Sequence, residues 1–224
     1  LLASFFLRRS PESSLQSKLA SSLLIIFAIL PANAYCSYMS KFQYIAFYKP
    51  YGVLCQFTGE KEDRTLAEFN IPKDVYAAGR LDKDSEGLLI LTNDGVFNQK
   101  VTSPRSNKEK TYWVQVERIP TPESLEELAC GVVIKGGYKT LACTVEQIEP
   151  PDVPARFPPI RQRKSVPDCW LEIKVVEGKN RQVRSMTAKI GHPTLRLIRV
   201  SVGKKNIDNL IPGEWVKIKP NEVI

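Results

Sequence analysis

The stretch "GRLDKDSEGLLILTNDG", residues 79–95, places a charged loop directly before an apolar strand. It holds four acidic and two basic residues, and an apolar run occupies residues 88–91. Such a run is typical of a buried strand, and Asn93-Asp94-Gly95 after it is a strong turn signal. The charged part fits either a solvated turn or an active-site loop, and Asp82 taken alone favours the turn.

Short strands alternate with a few helices along the rest of the chain, which predicts an α+β domain with a mixed or largely antiparallel sheet. "QYIAFYKPYGVLCQF" (residues 43–57) predicts two strands around a turn at residues 49–52. "KTYWVQVE" (residues 110–117) alternates cleanly, which puts Tyr112 and Val114 on one face of a strand. Thr121 and the proline after it predict a helix at residues 122–130. Further strands are predicted at residues 75–79, 88–92, 139–149, 169–178, 194–203 and 214–218, and further helices at residues 64–69, 96–102 and 180–191.

The composition favours a folded domain with a polyanionic partner. Of the 224 residues, 43% are hydrophobic, and Lys plus Arg exceed Asp plus Glu by 32 to 24, a net charge of +8. Excess positive charge favours nucleic acid, although an ordinary basic enzyme is the alternative. Five cysteines without metal-type spacing predict a reducing compartment. The single histidine, His192, excludes zinc sites built on two or more histidines and leaves acid–base chemistry to a carboxylate.

Residues 1–38 differ in composition from the rest of the chain. They are rich in Leu and Ser and contain one acid, Glu12. Our first interpretation is upstream sequence translated in error, because the first Met is Met39. A transit peptide comes second, and a secretory signal third, since "ANA" at residues 32–34 resembles a cleavage site. We therefore expect a disordered leader over residues 1–38 and a folded domain over residues 39–220.

Basic residues gather in two further places. Residues 149–168 are rich in proline and arginine, which predicts an exposed loop that either contacts phosphates or is simply solvated. In "EGKNRQVR", Lys179, Arg181 and Arg184 stand at or near the start of a predicted helix. Positive charge is unfavourable there, because the helix dipole repels it unless an anion lies nearby. The second cluster therefore predicts a partner phosphate or carboxylate.

Three segments of the chain together resemble the RsuA-type pseudouridine synthases: "GRLDKDSEGLLILTNDG", "KTYWVQV" and "EGKNRQVRSMTAKIGHPTLRLIRVSVG". "FYKPYGVLCQF" resembles the opening strand and turn of the same family, so the resemblance covers residues 42–219. The third segment is most similar to the RluE-like subgroup, which modifies large-subunit ribosomal RNA. Some relatives begin with a small S4-like RNA-binding domain. The residues before "FYKP" are not built like that module, and no S4 domain is expected here.

The resemblance implies a fold and an activity. The fold has a mixed central β-sheet with flanking helices, and a catalytic cleft lies between two subdomains. The activity is isomerisation of a specific uridine to pseudouridine in ribosomal RNA, here the 23S RNA of the large subunit. The catalytic aspartate of the family corresponds to Asp82, its uridine-stacking tyrosine to Tyr112, and the basic partner of the aspartate to Arg184. Ser185 departs from close relatives, in which a second basic residue follows this arginine.

The implied reaction breaks the N1–C1′ glycosidic bond, turns the uracil and joins C5 to C1′. It involves no redox change, so no cofactor and no metal are expected. It needs a carboxylate that acts as nucleophile or base at the sugar, and a cation that keeps this carboxylate ionised. It also needs a flat apolar surface for a uracil that has left the RNA stack. Contacts to the RNA are expected from Arg80, Lys83, Lys110, Lys179, Asn180 and Arg181.

Structural interpretations stand beside these assignments. Tyr112 alone would be a core residue, and Arg184 alone would satisfy a buried acid. Asp84 and Glu86 are expected to be solvated or to stabilise the turn. The alternative function is a non-catalytic RNA-binding or ribosome-assembly protein on the same scaffold. The expected protein is a monomer that binds ribosomal RNA and no membrane, in the cytoplasm, or in an organelle stroma or matrix if residues 1–38 are a transit peptide.

Overall fold

A computed structural model describes residues 42–160 and 165–224. The chain divides into two units, Leu1–Phe42 and Gln43–Ile224, and the elements below belong to the second. The predicted leader, residues 1–38, and residues 161–164 of the proline-rich segment lie outside the described residues. Within the described residues, no helix is both long and apolar enough to cross a bilayer.

Nine strands and three α-helices make up the described part of the chain. The strands are β1 (Tyr44–Lys49), β2 (Tyr76–Ala77), β3 (Glu86–Thr92), β4 (Lys110–Glu117), β5 (Thr144–Ile148), β6 (Asp168–Val175), β7 (Thr194–Val202), β8 (Lys205–Asn206) and β9 (Trp215–Lys217). The helices are α1 (Gly95–Thr102), α2 (Pro122–Ala129) and α3 (Gln182–Lys189), and short 3-10 helices cover Leu66–Phe69, Pro104–Ser106 and Pro220–Glu222.

The strands form one mixed sheet, as the sequence predicted. Seven of them follow the order β5-β6-β4-β7-β3-β1-β9, while β2 pairs with β3 and β8 pairs with β7. All neighbours are antiparallel except β3 and β7, which pair in parallel over Glu86–Ile198 and Gly87–Arg199 only. We call this short contact the parallel junction. It joins two antiparallel halves of the sheet. A Cβ atom at Gly87 would lie 2.3 Å from the carbonyl oxygen of Arg199, so only glycine allows the two halves to meet there.

The charged stretch begins as a loop, which is followed by the buried strand β3 and the capped helix α1. All residues of β3 are buried, which accounts for its apolar run. Asp94 caps α1, because its side chain accepts hydrogen bonds from the backbone amides of Val96 and Phe97. Phe97 packs edge-on against Tyr44 of β1, with ring centroids 4.9 Å apart. The strand and the helix thus form a rigid support directly after the loop.

Two predicted elements differ from the structure. Residues 53–57 do not form a hairpin with β1, because β3 and β9 already occupy both edges of that strand. Instead, Leu54 and Gln56 hydrogen-bond to residues 64–66 through their backbones. The last helix begins at Gln182 rather than at residue 180, since Arg181 has φ of 48°, in the left-handed region. The other predicted helices and strands form, several of them shorter than predicted.

Candidate active site

A cavity of about 730 Å³ opens beside the parallel junction. The loop before β3 forms one wall, and β4, β7 and the segment before α3 form the others. This arrangement brings together every predicted site residue except Arg184. The residues concerned are Arg80, Asp82, Lys83, Lys110, Tyr112, Lys179, Asn180 and Arg181.

Backbone hydrogen bonds fix the loop that carries Asp82. The amide of Ser85 donates to the carbonyl of Asp82 at 3.0 Å, which closes a tight turn. The amide of Gly52 donates to the carbonyl of Lys83 at 2.8 Å, so the turn after β1 holds the loop from outside. The Asp82 side chain is 31% exposed. Its carboxylate therefore combines a rigid backbone with access to the cavity.

Two arginines surround this loop, and their partners differ from the expectation. Arg181 Nη1 lies 3.7 Å from Asp82 Oδ2, and the same guanidinium binds both carboxylate oxygens of Asp84 at 2.8 and 2.7 Å. Arg184 Nη2 donates to the carbonyl of Asp84 at 2.6 Å, and its Nε lies 3.4 Å from Asp84 Oδ2 without making a hydrogen bond. The expected direct pair of Arg184 with Asp82 is thus wrong for this structure. The left-handed Arg181 takes the position near Asp82, and Arg184, one turn into α3, contacts Asp84 instead.

Asp84 is the acid that holds the two arginines together. Its hydrogen bonds to Arg181 keep the pKa of the Asp84 carboxyl below its ordinary value, although partial burial opposes this. The same hydrogen bonds raise the pKa of Arg181. Burial lowers the pKa of the Arg184 guanidinium, while Asp84 and Asp82 act to raise it. The expectation that Asp84 is merely solvated or stabilises the turn is therefore incomplete.

Tyr112 lies both in the core and on the cavity wall. It is 9% exposed and belongs to the main core with Val114 and Leu81. It also lines the cavity, on the same wall as Lys110 and Leu197. A buried aromatic ring that forms part of a cavity wall offers a flat, preorganised surface to a planar ligand. Asp82 and Tyr112 thus line one cavity from different halves of the sheet.

Comparison with known proteins shows the family to which this chain belongs. A profile described as RNA pseudouridylate synthase matches residues 43–189. The chain belongs to this family. The synthase is 54% identical over 174 residues to the ribosomal large subunit pseudouridine synthase E of Vibrio vulnificus, an alignment that covers 78% of this chain and 74% of that protein. It is also 54% identical over 167 residues to the protein of the same name from Xanthomonas axonopodis pv. citri, covering 73% and 87% of the two chains.

A solved structure supports the same assignment. A crystal structure of pseudouridylate synthase is similar to the described fold, with a TM-score of 0.68 at 26% sequence identity. The similarity covers 82% of this chain and 73% of that one. The predicted family, the α+β fold and the isomerase activity are confirmed.

Arg199 of the synthase is a cavity residue that the sequence reasoning missed. It is 4% exposed, its Nε donates to the carbonyl of Leu88 at 2.8 Å, and its Nη2 is buried without a hydrogen-bond partner. Burial, and secondarily the charge of Arg199, lower the pKa of Lys110. Both residues line the cavity, so positive charge concentrates on the wall formed by β4 and β7. The signal in the sequence was a pair of arginines, Arg196 and Arg199, inside a strand rich in Leu, Ile and Val, where a charge is costly without a local purpose.

Lys49 is the second missed residue, and it supports the loop from within. Its side chain is fully buried, and Nζ donates to the carbonyls of Val53 at 2.7 Å, Pro50 at 2.8 Å and Lys83 at 3.4 Å. Burial lowers the pKa of the Lys49 ammonium to about 8. A lysine in the turn after a strand gives no sign of this in the sequence. Its position means that one side chain ties the turn after β1 to the residue next to Asp82.

We expect the Lys49→Met variant to be less stable than the wild type, because one buried and two partly buried hydrogen bonds to backbone carbonyls are lost. The difference should grow with pH. Between pH 8 and 10.5 the unfolded lysine holds a proton that the folded one has released, so wild-type stability rises with pH in this interval. The stability gap should widen there by up to about 3 kcal/mol. Urea unfolding of both proteins at several pH values measures it, with Lys100→Met on the exposed face of α1 as the control. A constant gap would contradict the lowered pKa.

We expect the Asp84→Asn variant to lose about 10- to 100-fold in kcat, because small displacements of catalytic groups cost this much. The amide cannot hold Arg181 through two charged hydrogen bonds, so both arginines shift relative to Asp82. Asp84→Glu should recover part of the activity, since it keeps the charge. Single-turnover rates at saturating RNA separate this effect from weaker binding. Wild-type kcat in Asp84→Asn would show that the arginines need no such support.

Proposed function

We propose that this synthase isomerises a specific uridine of large-subunit ribosomal RNA, with Asp82 as the catalytic residue. The observation that carries the proposal is that Asp82, Tyr112 and Arg181 line one cavity. Within it, Arg181 Nη1 lies 3.7 Å from Asp82 Oδ2. The relatives from Vibrio and Xanthomonas are named for large-subunit pseudouridine synthesis. We also propose that the synthase acts as a monomer.

Each proposed role follows from the chemistry of one group. The uridine leaves the RNA stack, and its uracil ring stacks on Tyr112. The ionised Asp82 either attacks C1′ or removes a proton from the sugar, and both routes break the N1–C1′ bond, so that the uracil leaves C1′ with the bonding electron pair on N1. The nearby charge of Arg181 favours the ionised carboxylate. Arg184 acts through Asp84, which it holds by its backbone and its carboxylate. C5 then bonds to C1′, and the carboxylate is regenerated as it leaves C1′ or returns the proton to the sugar. The proton on C5 is lost and N1 takes one up, which gives pseudouridine.

The remaining basic residues are proposed to hold the RNA backbone at the cavity mouth. Arg80, Lys179 and Asn180 are exposed there, where phosphates of a bound strand would pass. Lys83 already pairs with Asp63 at 2.6 Å, so a phosphate must compete with that carboxylate. Lys110 is half-buried and lies deeper in the cavity.

Affinity for the RNA should fall steeply as the salt concentration rises. Removal of one phosphate contact should make this dependence less steep. For Lys179→Gln we expect the slope of log K against log salt concentration to decrease by nearly one unit, because each neutralised phosphate releases about one counterion. Filter-binding titrations across a salt series measure this. Lys100→Gln, an exposed lysine on α1 that does not line the cavity, is the matched control and should keep the wild-type slope. An unchanged slope in Lys179→Gln would remove this residue from the proposed contacts.

The proposed activity is tested by mapping pseudouridine in large-subunit ribosomal RNA. Unmodified transcript incubated with the purified protein should gain pseudouridine at one position, and cells without the gene should lack it there. Absence of isomerisation on both free RNA and ribosomal particles, with RNA binding retained, would favour the non-catalytic alternative. The described cysteines are free thiols, which supports the cytoplasm as the proposed compartment.

A further inference from the structure

We propose that Tyr51, Arg156 and Phe157 form a second RNA-binding surface, which stacks an unpaired nucleobase of the substrate outside the catalytic cavity. We call these three residues the stacking surface. None of them lines the cavity or belongs to the predicted site. The inference rests on the proposed function only in taking RNA as the substrate.

The ring of Phe157 is held in the solvent. It is 85% exposed, more than any other large hydrophobic residue in the described parts of the chain. Hydrogen bonds hold the backbone on either side of it. Arg156 Nε donates to the carbonyl of Pro158 at 2.8 Å, which closes the backbone around Phe157. Arg196 Nη2 donates to the carbonyl of Pro154 at 2.9 Å, which anchors the same segment to the sheet.

Arg156 supplies an available positive charge beside this ring. Its guanidinium carbon lies 4.3 Å from the centroid of the Tyr51 ring, in a cation–π contact. No carboxylate pairs with Arg156 among residues 42–160 and 165–224. An aromatic face next to an unpaired guanidinium is the combination with which proteins bind single-stranded nucleic acid, through stacking and through the phosphate.

The stacking surface adjoins the loop that carries Asp82 on two sides. Tyr51 precedes Gly52, whose amide donates to the carbonyl of Lys83. Pro154 is bound by Arg196, and Arg196 also binds Glu86 at the start of β3. An RNA strand that places its uridine in the cavity therefore has neighbouring nucleotides close to this surface.

The chemistry of the reaction explains what an aromatic ring would do here. Extrusion of a uridine breaks its stacking on the adjacent bases, which costs free energy. Phe157 offers one of those bases a new stacking partner. Since the contact lies away from the reacting sugar, it acts on affinity for RNA that contains unpaired bases, and hence on KM.

The test compares three variants in binding to a stem-loop RNA with a uridine-containing single-stranded loop and to a blunt duplex of equal length. Phe157→Leu keeps an apolar side chain without a stacking face, and it should bind the stem-loop about 10-fold more weakly. Phe157→Trp keeps the face, so it should bind like the wild type, and bound RNA should quench its additional tryptophan fluorescence. Tyr76→Leu, an exposed aromatic residue that does not line the cavity, should leave the affinity unchanged. The duplex should be bound equally by all three variants.

The outcomes separate this inference from the proposed function. If Phe157→Leu binds the stem-loop as tightly as the wild type, or loses affinity for both RNAs equally, the stacking surface is overturned. Such a result is also expected if a protein, and not RNA, covers Phe157. Because binding needs no turnover, the Asp82→Asn background gives the same comparison. Loss of stem-loop affinity there would support the surface even if no isomerisation of ribosomal RNA were found.

Discussion

The Asp82→Asn variant should have no measurable isomerase activity while it keeps the wild-type fold and RNA affinity. Asparagine preserves the size of the side chain and most of its hydrogen bonds, but it can neither attack C1′ as an anion nor accept a proton from the sugar. Both mechanistic routes therefore predict complete loss. Affinity should persist, or rise slightly, because phosphate contacts and Tyr112 hold the RNA and one anion is removed from a polyanion site.

The structure also limits the cost of this change to stability. Asp82 is 31% exposed and lies 3.7 Å from an Arg181 side chain that is 45% exposed, so the pair contributes little, less than about 1 kcal/mol. A thermal melt, a filter-binding titration and a tritium-release assay on one preparation test all three expectations. Asp208→Asn, which removes another ion-paired aspartate, should behave as the wild type in all of them. A folded Asp82→Asn protein with more than a small fraction of wild-type turnover would show that the catalytic residue lies elsewhere.

The largest loss of stability should come from Arg196→Met. Arg196 binds both carboxylate oxygens of Glu86 at 2.8 Å, and the two side chains are 6% and 3% exposed. Removing the guanidinium strands a buried carboxylate, at a cost of about 3–5 kcal/mol. For a domain of this size we expect the melting temperature to fall by roughly 10 °C.

A double-mutant cycle separates the pair from the packing around it. Glu86→Gln alone strands the arginine and should also be strongly destabilising. The double variant Glu86→Gln/Arg196→Met leaves no buried charge, so it should recover much of the stability lost in either single variant. Burial and the charge of Glu86 raise the pKa of nearby Tyr48 to about 12, which shows how little water reaches this group of residues. If the double variant is less stable than both single variants, lost packing dominates and the ion pair does not.

Elements that depend on local sequence were predicted well. Strand β4 was predicted with the bounds that the structure gives, and Thr121 caps α2 as expected. Local turn chemistry and alternation are sufficient for such elements. The hairpin at residues 53–57 was wrong because its partner edge is occupied by β9, from the far end of the chain. Competition for a strand edge is a property of the whole sheet, and it leaves no mark in a short window of sequence.

The same limit explains which site residues were found. Asp82 and Tyr112 came from motifs whose resemblance to a family is specific. Which arginine faces Asp82 depends on a single left-handed residue at the start of α3, and spacing along a helix cannot foresee that. Glu86 was expected in a solvated turn, but it is a buried ion-pair partner, because the strand it opens lies in the centre of the sheet. Its partner, Arg196, is distant in sequence, so only the tertiary structure brings the charges together.

The pairing of β1 with β9 has a consequence for biosynthesis. Since Phe47 pairs with Trp215, the outer edge of β1 stays unpaired until the chain has been made as far as β9. Strands β4 to β7 pair with partners much nearer in sequence and can assemble earlier. During that interval a nascent chain exposes an apolar strand edge, which is a template for pairing with other chains. Chains that stop before β9 are therefore expected to aggregate, and a chaperone or the ribosome itself would have to shield this edge until β9 has been synthesised.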